Sequence, residues 1–185
     1  MEEKISWSAE SHLGKTLHQW WHDLHRDTFN KDGILIRKAD HASRAVLRRC
    51  ASTDEVILSD AYQRFYRYML ACKAWPADAA NWQNDKLAAI AGLLTHVKTE
   101  LENAENLSVT MYDKKNGKLL VSELRFRSLL KIETADDLFI ALRRTLPLID
   151  NKANIYQLAN DVYYWGDKTR KEWAYSYRWP AKQPA

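Results

Sequence analysis

Apolar side chains recur at steps of three and four along most of this chain, and alternation at steps of two is scarce. Steps of three and four line one face of an α-helix, whereas a half-buried strand needs steps of two. The pattern predicts an all-α protein. Gly14, Gly33, Gly92, Gly117 and Gly166 lie at least 19 residues apart, so no glycine-rich loop exists to cradle a nucleotide phosphate. The four prolines fall mostly between or after the periodic segments.

The spacing predicts about seven to nine helices. A first helix over residues 9–27, capped by Ser8, sets Leu13, Leu17, Trp20, Trp21 and Leu24 on one face. A loop at residues 30–33 and a short helix at 40–50 follow. Ser52-Thr53-Asp54-Glu55 has capping-box spacing and launches a helix bearing Tyr62, Phe65, Tyr66 and Met69, ended by Trp75-Pro76. Residues 86–102 form a helix that buries Leu87, Ile90, Leu94 and Val97. Segments 109–112 and 118–121 flank Asn116-Gly117, a tight-turn dipeptide, and predict a small hairpin near 109–121. Ser122 opens a helix to residue 131, and Thr134 with Asp137 caps one ending near Asp150. A last helical region over 155–178 is broken at Gly166. The arrangement expected is two packed helical subdomains, 1–103 and 122–185, joined by a loop or hairpin at 104–121, with a loose tail after Trp179-Pro180.

Apolar residues at 46%, with eight Trp and nine Tyr, supply one globular core and exclude wholesale disorder. Cys50 and Cys72 stand in no metal-ligand spacing and read as reduced thiols. The start, Met1-Glu2-Glu3-Lys4, lacks the basic residues and apolar run of a secretory peptide, and no apolar stretch is long enough to span a bilayer. A cytoplasmic protein without membrane contact, cofactor or metal is expected.

Three constellations bear on chemistry. His18, His22 and His25 fall within a narrow stripe of one helix, as ligands of a zinc or nickel ion do. Gln19 follows His18, so the glutamate of a zinc-protease motif is missing, and packing histidines are the commoner case. Asp54-Glu55 and Asp136-Asp137 are paired acids, but each sits at a helix start, where the helix dipole favours a carboxylate. No constellation amounts to an active site, and a non-enzyme is expected. The third is basic. Arg37, Lys38, Arg44, Arg48 and Arg49 crowd thirteen residues that hold one acid, Asp40. Arg125, Arg127 and Lys131 stud a later helix and Arg143-Arg144 another, so a net charge of only +4 conceals a positive side. Arginine dominates, and its planar fork grips phosphate bidentately where lysine is a point charge. Ion-paired solvated surface is the bland account of any one cluster; nucleic-acid contact accounts better for the three together.

The order of these motifs resembles the CasB-type small-subunit family of the type I-E CRISPR surveillance complex, Cascade. Four landmarks carry the resemblance: Ser43-Arg44-Ala45-Val46-Leu47-Arg48-Arg49-Cys50; Ser122-Glu123-Leu124-Arg125-Phe126-Arg127-Ser128-Leu129-Leu130; Asp137-Leu138-Phe139-Ile140-Ala141-Leu142-Arg143-Arg144; and Asp161-Val162-Tyr163-Tyr164-Trp165-Gly166 followed by Arg170, Trp173 and Tyr177. Together they span about residues 20–179. The resemblance implies an all-helical, non-catalytic subunit, present as two copies beside the backbone subunits and the large subunit. Its basic face would hold the target and displaced DNA strands along the guide RNA, stabilising the R-loop in antiviral defence. Carried over by motif, the implied contacts are Arg48, Arg49, Arg125, Arg143 and Arg144, with Lys168 in a region that is usually basic. Arg44 and Arg127 belong to the same basic segments, and Lys86 is a weaker candidate, as is the loop 114–118. The alternatives are a helical protein–protein interaction module that binds no nucleic acid, and a metal protein built on the histidine stripe.

Overall fold

Hydroxyl and amide side chains at segment starts decide where this chain turns into helix. In the computed structural model, which describes residues 5–103 and 105–181, eight of ten α-helices begin at a Ser, Thr, Asn or Asp that accepts a hydrogen bond from a first-turn amide. α1 (His12–His25) is capped by Ser11, whose Oγ accepts from the Gly14 amide at 2.9 Å. The expected cap, Ser8, instead lends its carbonyl to Ser11. A Cβ at position 14 would lie 2.0 Å from that carbonyl oxygen, so only glycine permits this approach, and the helix starts later than the periodicity predicts.

An antiparallel hairpin, β1 (Thr28–Phe29) with β2 (Leu35–Arg37), stands where a plain loop was expected. α2 (His41–Arg49) starts at Asp40. The helix expected after Ser52 is two: α3 (Thr53–Leu58) and α4 (Asp60–Ala71), with extended Ser59 ending one and capping the next. α5 (Asn81–Leu94) stops well short of residue 102, because β3 (Thr99–Glu100) pairs in parallel with β6 (Lys152–Ala153). The segment expected to form the first arm of the second hairpin lies largely in a short helix, α6 (Leu107–Met111), capped by Asn106. That hairpin is confined to β4 (Lys114–Lys115) and β5 (Lys118–Leu119) around Asn116-Gly117, both left-handed at φ 54° and 76°. α7 (Glu123–Leu129) and α8 (Ala135–Thr145) start at the expected caps, Ser122 and Thr134. A 3-10 helix (Leu146–Ile149) then turns at left-handed Asp150. α9 (Ile155–Tyr163) and α10 (Asp167–Ser176) are separated at Gly166, as expected. The class is all-α, and splitting at Ser59 with the addition of α6 raises the helix number to ten among the described residues.

Every residue from Leu87 to Leu94 of α5 is buried. A helix that is apolar all round belongs inside a fold, and α5 lies between α3, α8 and α9. One continuous cluster of buried side chains runs from Trp7 to Tyr177. The closing landmark of the sequence serves this core. Trp165 donates to the Ile132 carbonyl at 2.8 Å, Trp173 donates to Asp161 at 2.8 Å, and Tyr177 stacks on Phe126 with 3.9 Å between ring centroids.

Candidate nucleic-acid interface

Three amphipathic helices carry the basic residues outward. Ser43 and Leu47 are the buried residues of α2, leaving Arg44 half-buried and Arg48 and Arg49 exposed. α8 buries Leu138, Phe139 and Leu142, which sets Arg143 and Arg144 on its outer side in the last turn. α7 buries Phe126 and Leu129, so Arg125 and Arg127 face solvent.

Cations of two of these helices, far apart in sequence, bear electrostatically on one ring. His96 is buried just beyond α5, and its pKa is lowered to about 4, first by burial and then by Arg48, Arg143 and Arg44. Arg44 donates from Nε to the Thr95 carbonyl at 3.2 Å, and burial followed by the Arg48 charge holds its pKa below the usual arginine range. Beside this cluster, Arg125, Lys131 and Arg144 line a cleft of about 690 Å³ between α7 and α8, floored by Leu129, Ile132, Ile140 and Ala141. Its acids are Glu133 and Asp137, the latter accepting from the Thr134 hydroxyl at 2.8 Å. Arg143 and Arg144 are adjacent in sequence in the last turn of α8. Among the described residues, no carboxylate lies within ion-pair distance of Arg44, Arg48, Arg49, Arg125, Arg143 or Arg144.

The remaining candidates are engaged elsewhere. Arg127 donates to Glu123 at 2.9 Å and lies over the Trp179 ring, 5.0 Å from its centroid. Lys168 sits 3.9 Å from Glu172. Lys86 turns inward, donating to the Tyr163 carbonyl and resting 5.7 Å from the Trp82 ring, with its pKa lowered by burial. Arg37 is paired with Asp23. Lysines 114, 115 and 118 lie on the small hairpin, with Lys115 4.0 Å from Asp150.

The histidine stripe disperses. His18 pairs with Glu100 at 2.8 Å, and His25 uses Nδ1 on the Trp21 carbonyl at 2.8 Å, its own pKa lowered to about 4 chiefly by burial. Among the described residues, no three His, Cys, Asp or Glu side chains assemble into a metal ligand set. The paired acids act on backbone ends: Asp136 accepts from the Thr53 amide at 2.7 Å, and Glu55 from the Ala51 amide at 2.8 Å. Cys50 is buried, and burial pushes its thiol pKa up, away from the thiolate a nucleophile needs. His96 is a residue that sequence reasoning missed: a lone histidine after Thr95 carries no motif, and only its burial in the fold, next to the carbonyl that Arg44 holds, marks it.

Fold and surface together define an all-helical protein in which Arg44, Arg48, Arg49, Arg125, Arg143 and Arg144 have no ion-pair partner among the described residues. The model of the family described as CRISPR-associated protein Cse2 matches residues 43–177, which runs from the first landmark segment to the last. The chain belongs to that family, as the order of its motifs led one to expect. A chain in the crystal structure of E. coli Cascade bound to a PAM-containing dsDNA target has a similar fold, with a TM-score of 0.61. It is 16% identical in sequence, and the likeness covers 88% of this chain and 92% of that one. No curated protein matches the sequence. No described helix is long and apolar enough to cross a membrane.

Proposed function

We propose that this chain is a non-catalytic subunit of a Cascade complex in the cytoplasm, and that its arginine face grips the backbones of the target and displaced strands within the R-loop. Guide RNA, the backbone subunits, the large subunit and a second copy of the chain are its partners in this reading. Opening a duplex against a guide is a nearly balanced exchange of base pairs, so modest contacts to the backbone tip it. Contacts of this kind gain affinity by releasing counterions and read no sequence, which suits arginines on a rigid helical scaffold without a base-reading element. Arg44, Arg48, Arg49, Arg125, Arg143 and Arg144 carry the grip; Arg127, Lys86 and Lys168, already held by partners within the chain, contribute less. The observation that carries the reading is that the arginines of α2, α7 and α8 at the family's basic landmarks, Arg127 apart, have no carboxylate within ion-pair distance among the described residues, with Arg125 and Arg144 lining one cleft.

The test is charge reversal at Arg49, Arg125 and Arg144 in the assembled complex, followed by R-loop lifetime. A shortened lifetime with assembly intact is expected; an unchanged lifetime refutes the assignment.

A second reading, protein docking without nucleic acid, is favoured by the β1–β2 hairpin, where Phe29, Ile34, Leu35 and Ile36 are all exposed. Binding through such apolar surface is far less sensitive to ionic strength than a phosphate grip, so a salt titration separates the two.

A further inference from the structure

The cleft between α7 and α8 combines cations with an apolar floor that a grip on phosphates alone does not need. Its cations come from both sides: Arg125 from α7, Arg144 from α8, and Lys131 from the connection between the two helices. All three are exposed, and none has a carboxylate within ion-pair distance among the described residues. The floor is aliphatic: Ile132, Ile140 and Ala141 are half-buried and still open to solvent, beside buried Leu129. Two carboxylates, Glu133 and Asp137, line the same space. A phosphate seated deep in the cleft would face those acids and give up hydration against carbon. A flat, uncharged group meets neither cost. At about 690 Å³ the cleft has the size, about 300–1,000 Å³, in which proteins hold small organic groups.

We propose that this cleft takes one unstacked nucleobase of a bound strand, its flanking phosphates meeting Arg125, Lys131 and Arg144. This rests on the nucleic-acid reading and deepens it, because the ligand of the floor is a base and not the backbone. A nucleobase is planar, uncharged near neutral pH and weakly hydrated on both faces, so covering it with Ile132, Ile140 and Ala141 removes apolar surface from water. Glu133 and Asp137 oppose entry of a phosphate but not of a base. Aliphatic carbons touch the face of any base alike, so the cleft adds affinity without reading sequence. It does select strandedness. Bases within a duplex are paired and stacked, and only an unpaired base enters without first paying to leave its partner. In an R-loop the target strand is paired with the guide and the displaced strand is not, which assigns the cleft to the displaced strand.

The probes are two oligomers of equal length and charge, an oligothymidylate and an abasic phosphodiester chain whose sugars carry no base, each bound to the full chain at one low salt concentration. Phosphate contacts are common to both, so a backbone grip alone gives equal affinities. The wild type should bind oligothymidylate several-fold more tightly. Ala141→Met narrows the cleft without altering a charge. It should bring the ratio of the two affinities towards one and leave abasic binding as it was, with thermal melting to confirm that the variant folds. The methyl NMR signals of Ile132 and Ile140 supply a readout that needs no variant. The ring current of a seated base should shift them when oligothymidylate saturates the chain, and the abasic oligomer should leave them in place. Equal affinities in the wild type, a wild-type ratio in Ala141→Met, or methyl signals unmoved by oligothymidylate overturn the base cleft while leaving the backbone grip standing. Failure of both oligomers to bind overturns the nucleic-acid reading, and the cleft with it.

Discussion

Inside the core the Trp173 indole donates to the Asp161 carboxylate at 2.8 Å, and the other carboxylate oxygen accepts from Gln157 at 2.7 Å. Burial raises the Asp161 pKa from 3.8 to about 6, against the pull of both hydrogen bonds. With the folded value above the unfolded one, the folded chain binds the proton more tightly. Stability is therefore expected to fall as pH rises from about 4 to about 6, and to level off above. Asp161→Asn should abolish that slope. Asp161→Ala leaves a buried indole N–H unsatisfied and should cost about 1–3 kcal/mol. Urea denaturation of the three proteins across the pH window checks both outcomes.

Gly92 lies where α5 meets α3 and α8. A Cβ there would stand 2.6 Å from the Phe139 ring and 3.1 Å from a Val56 methyl, and Phe139 is fully buried, so it has nowhere to swing. Gly92→Ala gains about 1 kcal/mol of helix propensity but incurs an overpacking cost of about 1–3 kcal/mol. The expected result is a net loss, read as a melting temperature lower by about 2–4 °C per kcal/mol in a chain of this size. Gly92→Ser should be worse.

Arg127 and Arg144 provide a matched pair on neighbouring helices. Arg127 is committed to Glu123 and Trp179, whereas Arg144 lines the cleft without a carboxylate partner among the described residues. Arg144→Gln should weaken single-strand binding at low salt by several-fold, and Arg127→Gln by less than twofold. Fluorescence anisotropy with one labelled oligonucleotide compares them directly. Equal losses would mean that the internal ion pair does not decide which cations are available to a strand.

Helix positions were legible because they rest on local chemistry. Ser52, Ser122 and Thr134 cap where their spacing predicts, and Gly166 separates the last two helices. Boundaries failed where distant contacts decide them. Residues 99–100 leave α5 to pair with residues 152–153, a parallel bridge that no local signal announces. β-branched Val109 and Thr110 read as strand, but Asn106 caps a helix over them. The β1–β2 hairpin escaped notice because its arms of two and three residues are too short to show alternation. The basic clusters were visible singly. Their separation into paired Arg127 and Arg48, Arg143 and Arg144, unpaired among the described residues, depends on which carboxylates the fold brings near.

The most direct measurement is the salt dependence of single-strand binding by the full chain, wild type against an Arg49→Gln, Arg125→Gln, Arg144→Gln triple variant. Each phosphate contact to a single strand contributes about 0.7 to the slope of log affinity against log salt. Loss of three contacts should make the slope shallower by about 2 while the fold is retained. A triple variant with the wild-type slope and affinity would contradict the claim that these arginines grip a nucleic-acid backbone.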